Sequence, residues 1–553
     1  MNRTAAQLPT VPTIASGAKR CPQFWALDLP SKKPAQSLSS AIRLFLLTLF
    51  ILISLGRPVF SQDHLQRSTH LLTQGDLAGA EKEANLALGD RSSRAVAYAI
   101  LGAIRLQQNK YIESQVLLEK ALGLKPNLLG ARLNLGLVYE LQGNTALARD
   151  TYRQVLKDDP RNFRARFSLS RLESATGEYA SSLKIAYPIV QDLKASPEGL
   201  RLLTTDYLKV GDKEKAKDMA AAWKELSDVP LEQSLGFTDI LAGAGLTQEA
   251  IEILENVKSS GKFSFSVPFS LAGYYLAGKK LGEASANYEL ALRLNENCVD
   301  CCRFIAMIAR QQKELEKALA YLMRALRLEP ENPDLLLNFG RVCLEKDLHD
   351  DAIKALTRAD ELRPDNDETL YALGAAYVSK LEYEKAYSLF EKLAQEHPND
   401  AVLNYALGSV SCLQVKLDQA ERYLSKSIRL DPKQLAAYYY LGLVAERKGE
   451  EDRAAEIFRG ILERYPDHAA SYEELGTVLL KEKRYAEAQP ILEKAITLNP
   501  QSAKAHYQLA MLLARLGKTE EARRVQERAE KLIGDERAES SVELHLLMAP
   551  DSP

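Results

Sequence analysis

From about residue 61 to residue 536, hydrophobic residues recur three and four positions apart, which is the spacing of one face of an α-helix. In residues 367–400, Leu370 and Leu373 mark the face of one helix, and Phe390 and Leu393 mark the face of a second. A polar turn separates the two sets, and a proline-containing segment stops the second helix before the next set begins. The pattern predicts two antiparallel helices in every such segment.

The same pair of helices is predicted repeatedly, because the turn and packing residues recur with a period of 34. Prolines close eight units at multiples of this period: Pro126, Pro160, Pro330, Pro364, Pro398, Pro432, Pro466 and Pro500. Glycines follow six of these prolines by ten residues: Gly136, Gly340, Gly374, Gly408, Gly442 and Gly476. One further position holds alanine in twelve units and serine in two, Ser114 and Ser182. We therefore predict fourteen units over 61–536, instead of the three or four globular domains that 553 residues suggest.

The unit resembles the tetratricopeptide repeat. Residues 367–400 are DETLYALGAAYVSKLEYEKAYSLFEKLAQEHPND, with Leu-Gly, Tyr, Ala, Phe and Pro at the positions that this family favours. The resemblance implies an all-α fold, a right-handed superhelical solenoid of stacked antiparallel helix hairpins, in which each hairpin buries its apolar face against the next. Gly374 and Ala386 lack bulk, so we expect two helices to approach closely there.

The match to the repeat varies along the chain, and we expect two arrays, 62–298 and 299–536. Units in the second array match best, and 95–162 also matches well. Units in 163–298 depart from the pattern, because their closing prolines are missing and Pro268 is expected to interrupt a first helix. We expect the same hairpins there, with looser packing or altered curvature.

The first sixty residues are predicted to be a separate leader. Residues 1–37 lack apolar periodicity and are predicted to be disordered, as is the tail 537–553. Residues 44–55 are apolar and uncharged, which is short for a bilayer span and suits the core of a signal peptide over 38–61. Two alternatives stay open: cleavage and export to a periplasmic or extracellular location, or an uncleaved signal that anchors the protein to the membrane.

Charge and motifs exclude several classes of function. The formal net charge is −2, so no basic excess favours nucleic acid. The seven histidines are scattered, and the sequence contains no phosphate-binding glycine loop and no protease or hydrolase motif. We predict no catalytic residues, no metal site and no cofactor, and therefore a protein that is not an enzyme.

The resemblance also implies a concave groove, lined by the first helix of each unit, that binds extended peptides or partner helices. One groove position holds Tyr371, Tyr405, Tyr439 and Tyr507 at multiples of 34, with Glu473 breaking the series. A row of tyrosines offers apolar area and hydroxyl groups, which suits peptide recognition. The alternative is that tyrosine simply tolerates half-buried helix faces.

A second set of candidate groove residues carries charge and amide groups. Arg303, Asn338 and Arg341 partly match the carboxylate clamp of some family members, but Glu368 and Ala372 stand where the clamp needs basic groups. The full clamp is therefore absent, and the three residues remain candidates for partner binding.

Three cysteines form a C-x-x-C-C sequence at Cys298, Cys301 and Cys302. Redox, haem and zinc sites each lack a required element of sequence. Two interpretations remain: buried small hydrophobic residues, or a disulfide between Cys298 and Cys301 formed after export.

Together these features predict a non-enzymatic scaffold that binds protein partners in a bacterial-type envelope assembly, with a membrane tether through residues 44–55 if the signal is retained. The alternative is an accessory subunit of a cell-surface polysaccharide or glycosylation system, whose groove binds glycan.

Overall fold

The computed structural model describes residues 59–261 and 264–539, and these residues form α-helices paired into fourteen antiparallel hairpins. The all-α prediction and the hairpin stack are confirmed. The predicted leader 1–37, the apolar segment 44–55 and residues 540–553 of the tail lie outside the described residues. Among the helices that are described, none is long and apolar enough to cross a membrane.

The contacts divide the chain into two units, one up to Leu226 and one from Ser227. The first contains α1 Val59–Gln74, α2 Leu77–Ala87, α3 Arg94–Gln107, α4 Tyr111–Leu124, α5 Leu129–Leu141, α6 Thr145–Asp158, α7 Phe163–Ala175, α8 Tyr179–Ala186, α9 Val190–Lys194, α10 Pro197–Lys209 and α11 Lys213–Lys224.

The second unit contains the remaining hairpins, and within it each first helix is followed by its antiparallel partner. Its helices are α12 Leu231–Gly243, α13 Thr247–Ser259, α14 Ser266–Ala277, α15 Leu281–Leu294, α16 Val299–Gln311, α17 Leu315–Leu328, α18 Pro333–Glu345, α19 His349–Leu362, α20 Asp367–Ser379, α21 Tyr383–Glu396, α22 Ala401–Leu413, α23 Leu417–Leu430, α24 Leu435–Lys448, α25 Glu451–Arg464, α26 Ala469–Lys481, α27 Tyr485–Leu498, α28 Ala503–Arg515 and α29 Thr519–Glu539.

Small residues hold the two helices of each hairpin together, as the sequence predicts. A Cβ atom on Gly374 would lie 2.6 Å from the ring of Phe390, and one on Gly442 would lie 2.6 Å from Phe458. Ala386 is fully buried. Because protein cores are close-packed, any larger side chain at these positions would push the helices apart.

The divergent stretch 163–298 keeps its hairpins with local changes. The second helix of the hairpin that begins with α7 is broken into α8 and α9. A 3₁₀ turn at Tyr187–Ile189, whose middle residue is Pro188, separates the two parts. The prediction that Pro268 interrupts a first helix is wrong. Pro268 is the third residue of α14, and an N–H in the first turn has no intrahelical acceptor to lose.

The predicted boundary between the two arrays, at 298/299, is the point after which the repeat sequences match the 34-residue pattern more closely. The buried side chains form one cluster that runs from Ala272 to Ala376 and so continues across that point. The boundary at 298/299 stays a prediction about the sequence, and the contact-based division lies at Leu226 and Ser227.

Candidate functional site: the first-helix face

In each unit, most first helices contact the first helix of the next hairpin. The contacts join α1 with α3, α3 with α5 and α7 with α10 in the first unit. In the second unit they join α12 with α14, α18 with α20, α22 with α24, α24 with α26 and α26 with α28. The first helices thus form a common face in each unit. We call the fifth residues of α16, α18, α20, α22, α24, α26 and α28 the first-helix face: Arg303, Leu337, Tyr371, Tyr405, Tyr439, Glu473 and Tyr507.

The tyrosines of the first-helix face do not form one exposed row. Tyr405 is 1 % exposed and Tyr439 is 7 % exposed, whereas Tyr371 is half-buried and Tyr507 is 51 % exposed. The expectation of an exposed stripe is therefore wrong for Tyr405 and Tyr439. Whether any of the four tyrosines binds a partner stays a prediction.

Close packing against neighbouring helices, both the next first helix and the second helix of the same hairpin, explains this burial. The ring of Tyr405 packs edge-on against Tyr440 at 5.9 Å, and the ring of Tyr439 packs against Phe458 at 5.9 Å. Burial raises the pKa of Tyr371 to about 12 and raises the pKa of Tyr405 well above its usual value. These phenols are neutral, and they act in the structure as large core side chains.

A polar network that is partly open to solvent lies where α24, α26 and α28 meet. The Tyr439 hydroxyl donates to Glu474 Oε1 at 3.1 Å, and Lys504 Nζ lies 2.7 Å from the same oxygen. Lys504 Nζ also lies 3.4 Å from Glu473 Oε1, and the Ser502 hydroxyl donates to Glu473. Burial alone would lower the pKa of Lys504. The carboxylates of Glu474 and Glu473 outweigh that effect, so the net pKa of Lys504 is raised above its usual value. The ammonium therefore stays charged between two carboxylates.

The sequence analysis missed Glu474 and Lys504, although one signal was present. Glu474 is the sixth residue of its first helix, where α20 and α22 carry Ala372 and Ala406. A carboxylate at a position that is buried in the neighbouring units requires a cationic partner. Lys504 lies 30 residues later and supplies that partner.

The three clamp candidates each make contacts inside the chain. Arg303 pairs with Asp300 at 2.8 Å and covers the ring of Phe304 at 4.2 Å. Asn338 Nδ2 donates to a backbone carbonyl of its own helix at 2.8 Å, and Arg341 pairs with Glu368 at 3.1 Å. The acid that argued against a full clamp is thus the partner of Arg341. Partner binding by these residues stays a prediction.

The structure joins Cys298 and Cys301 by a disulfide at the start of α16. Cys302, Cys343 and Cys412 are free and buried, as expected for cysteines at packing positions. Burial raises the pKa of the Cys343 thiol to about 12. The three free thiols are therefore poor nucleophiles, because reaction needs the thiolate.

One exposed group in the described part of the chain has the composition of a cation site. It consists of Asp367, Glu396 and His397, whose ligand atoms lie within 4.8 Å of one another. His397 Nε2 lies 2.8 Å from Asp367 Oδ2, so an ordinary surface ion pair accounts for most of this arrangement.

Comparison with known proteins points to one family. Models described as tetratricopeptide repeat match residues 309–377 and 479–539, residues 133–193 and 414–469, and residues 368–400. No curated protein sequence matches the chain.

Solved structures that match the chain include the following three. A tetratricopeptide repeat protein from Parabacteroides merdae is 18 % identical, with 45 % of this chain and 98 % of that chain covered and a TM-score of 0.40. The APC/C hetero-tetramer Cut9-Hcn1 is 13 % identical over 86 % of this chain and 99 % of that chain, with a TM-score of 0.39. YrrB, a tetratricopeptide repeat protein with an unusual peptide-binding site, is 24 % identical over 33 % of this chain and 95 % of that chain, with a TM-score of 0.27.

Proposed function

The chain belongs to the tetratricopeptide repeat family, and from this premise we propose that it is a non-enzymatic scaffold whose first-helix face binds an extended peptide or a helix of a protein partner. One observation carries the proposal. From α22 to α28 each first helix contacts the next one, so side chains from four hairpins can reach a single elongated ligand.

Exposed side chains on and beside the first-helix face have the chemistry of protein contacts. Tyr507 is 51 % exposed, and Met307, one turn beyond Arg303 on α16, is 44 % exposed. Aromatic, methionine and arginine side chains are enriched at protein interfaces. Tyr507 lies three residues from Lys504, so an aromatic ring and a charge network are adjacent at this end of the face.

The test must use exposed residues. Truncation of Tyr405 or Tyr439 to alanine would open cavities costing about 3–5 kcal/mol, so lost binding could not be separated from lost folding. Tyr507 avoids this difficulty, because half of its surface is already in water.

We propose photo-crosslinking in the native cells, with p-benzoylphenylalanine at position 507 of the full chain. Tyr187 is the matched control, since it is 77 % exposed and lies in the 3₁₀ turn between α8 and α9, outside the first-helix face. We expect discrete protein adducts from position 507 and none of the same mass from position 187. Equal adducts at both positions, or none at 507, would contradict the proposal, and adducts that contain glycan would favour the polysaccharide alternative.

We further propose that the protein works in a cell-envelope assembly, exported or anchored through residues 44–55. The support comes from the sequence of the leader and lies outside the described residues. N-terminal sequencing of the protein isolated from cells is the test. A mature chain that begins near residue 62 would support export, an intact N-terminus in the membrane fraction would support the anchor, and an intact N-terminus in the cytosol would contradict both.

A further inference from the structure

A basic residue recurs near the end of the second helix in the repeats from 299 to 536. Six of the seven units carry it, 34 residues apart: Arg324, Arg358, Lys392, Lys426, Lys494 and Arg528. Four of these side chains contact the turn that precedes their own hairpin. Arg358 Nη2 donates to Glu331 at 2.5 Å, Arg528 Nη2 donates to Gln501 at 3.3 Å, Arg324 donates to a backbone carbonyl of the turn, and Lys392 pairs with Asp365. The basic side chain thus covers the junction between two hairpins.

The hairpin formed by α24 and α25 changes both partners of this contact. Gly460 replaces the basic residue, and Lys433 stands in the turn where other units have Glu331, Asp365, Asn399, Asp467 or Gln501. A Cβ atom on Gly460 would meet no heavy atom within 4 Å. The contact that the basic residue makes in other units is therefore missing at position 460, and the turn carries a positive charge at Lys433 instead of an acceptor.

A cavity of about 210 Å³ lies at this junction. Leu435, Ile457 and Ile461 give it an apolar lining, and Tyr438 and Tyr465 add two aromatic side chains. Its size and lining suit one buried apolar side chain of a ligand.

The charges around the cavity favour an anion next to that apolar group. Lys433 and Arg464 line the cavity, and among the described residues neither has a carboxylate partner. Arg464 lies 5.4 Å from the ring of Tyr438 and donates to the Pro432 carbonyl at 3.4 Å. Glu456 is the one carboxylate that lines the cavity, so the formal charge of the lining is positive.

We propose that this cavity is a second docking site, separate from the first-helix face, for a peptide segment of a protein partner in which an aromatic or branched apolar residue is flanked by carboxylates. The apolar side chain fills the space that the basic residue occupies in other units. The flanking carboxylate pairs with Lys433, which replaces the acceptors of those units. Because the charge of the cavity lining is positive, charge complementarity requires a negatively charged partner segment.

The test uses the peptide acetyl-Glu-Phe-Glu-amide and the full chain in isothermal titration calorimetry. Gly460→Lys restores the side chain of the other units and fills the cavity, and it favours the helix because lysine has the higher helix propensity. Gly123→Lys is the matched control, since Gly123 also lies in a second helix with open space around it. We expect Gly460→Lys to weaken binding at least about tenfold and Gly123→Lys to leave it unchanged.

A charge reversal distinguishes binding at this site from nonspecific binding of the peptide. Lys433→Glu gives the turn the acceptor that other units have, so we expect this variant to prefer acetyl-Lys-Phe-Lys-amide over acetyl-Glu-Phe-Glu-amide, the reverse of the unchanged protein. Three outcomes would overturn the proposal. The acidic peptide does not bind, both peptides bind the unchanged protein equally, or the acidic peptide binds the Gly460→Lys variant as tightly as it binds the unchanged protein. None of these bears on Tyr507, so the first-helix face is tested independently.

Discussion

One residue in the turn between the two helices of each hairpin adopts a left-handed backbone conformation. Glycine occupies it in half of the units: Gly75, Gly143, Gly177, Gly211, Gly245, Gly449 and Gly517. The other units use Asn109, Lys279, Lys313, Asp347, Leu381, Val415 and Lys483 at φ values of 58° to 63°. The glycines recur with the 34-residue period, so the sequence held this signal, but the mixed residue types at the other turns obscured it.

Val415 is the residue least suited to this turn, because it is β-branched and has a φ of 61°. The left-handed conformation costs a residue with a side chain about 1–2 kcal/mol, and glycine avoids this cost but loses more chain entropy on folding. We therefore expect Val415→Gly to raise the free energy of unfolding by about 1 kcal/mol, measured as a higher urea midpoint. The same substitution at Val210, whose φ is −88°, is the control and should lower the midpoint. A lower midpoint for Val415→Gly would contradict the argument.

At the scale of the element, the sequence predicts what happens inside a hairpin better than what happens between hairpins. Gly374 faces Phe390 as expected, because both residues belong to one repeat and their spacing is fixed by the turn. The exposure of Tyr405 could not be predicted in this way. It depends on how closely α22 and α24 approach, and every residue of α22 from Leu403 to Cys412 is buried. The distance between these two helices is determined by the sizes of the facing side chains, which come from two different repeats.

The hairpin formed by α10 and α11 contains a buried acid that is hydrogen-bonded to the preceding hairpin. Asp206, on α10, accepts hydrogen bonds from the Ser174 and Ser182 hydroxyls at 2.5 Å, and it is fully buried. Burial raises the pKa of Asp206, and the two hydroxyls offset part of that effect. Ser182 stands at the position where most units have alanine, so this polar contact is particular to the divergent repeats.

The raised pKa makes the stability of this region depend on pH. Because the folded protein binds this proton more tightly than the unfolded chain does, the contribution of Asp206 is most favourable below its usual value near 3.8 and is lost as pH rises through the raised pKa. We expect Asp206→Asn to gain stability relative to the unchanged protein as pH rises from 4 to 7, measured by urea midpoints at each pH. Asp192→Asn, at an exposed position of α9 in the preceding hairpin, is the control and should follow the unchanged protein. A difference that stays constant with pH would contradict the assignment.

At the scale of the whole molecule, ion pairs between consecutive hairpins repeat in register. Lys380 pairs with Asp350 at 3.0 Å, Lys448 pairs with Asp418 at 2.6 Å, and Lys346 pairs with Glu316, in each case 30 residues apart. Each exposed pair of this kind contributes little to the free energy of unfolding. Their value here is as evidence that the junctions between these hairpins are equivalent.

Equivalent junctions predict that one whole repeat can be removed. Deletion of 401–434 removes α22 and α23, and the 34-residue register then places Glu384 where Asp418 faced Lys448. We expect the shortened chain to keep the same helical ellipticity per residue at 222 nm and to unfold with a smaller urea dependence, since it exposes less surface. Deletion of 401–416 alone is the control: it removes α22, leaves the apolar face of α23 without its partner, and should lower the ellipticity per residue or cause aggregation. If both deletions behave alike, the repeats are not exchangeable units, and the length of the array cannot be equated with the length of a binding surface.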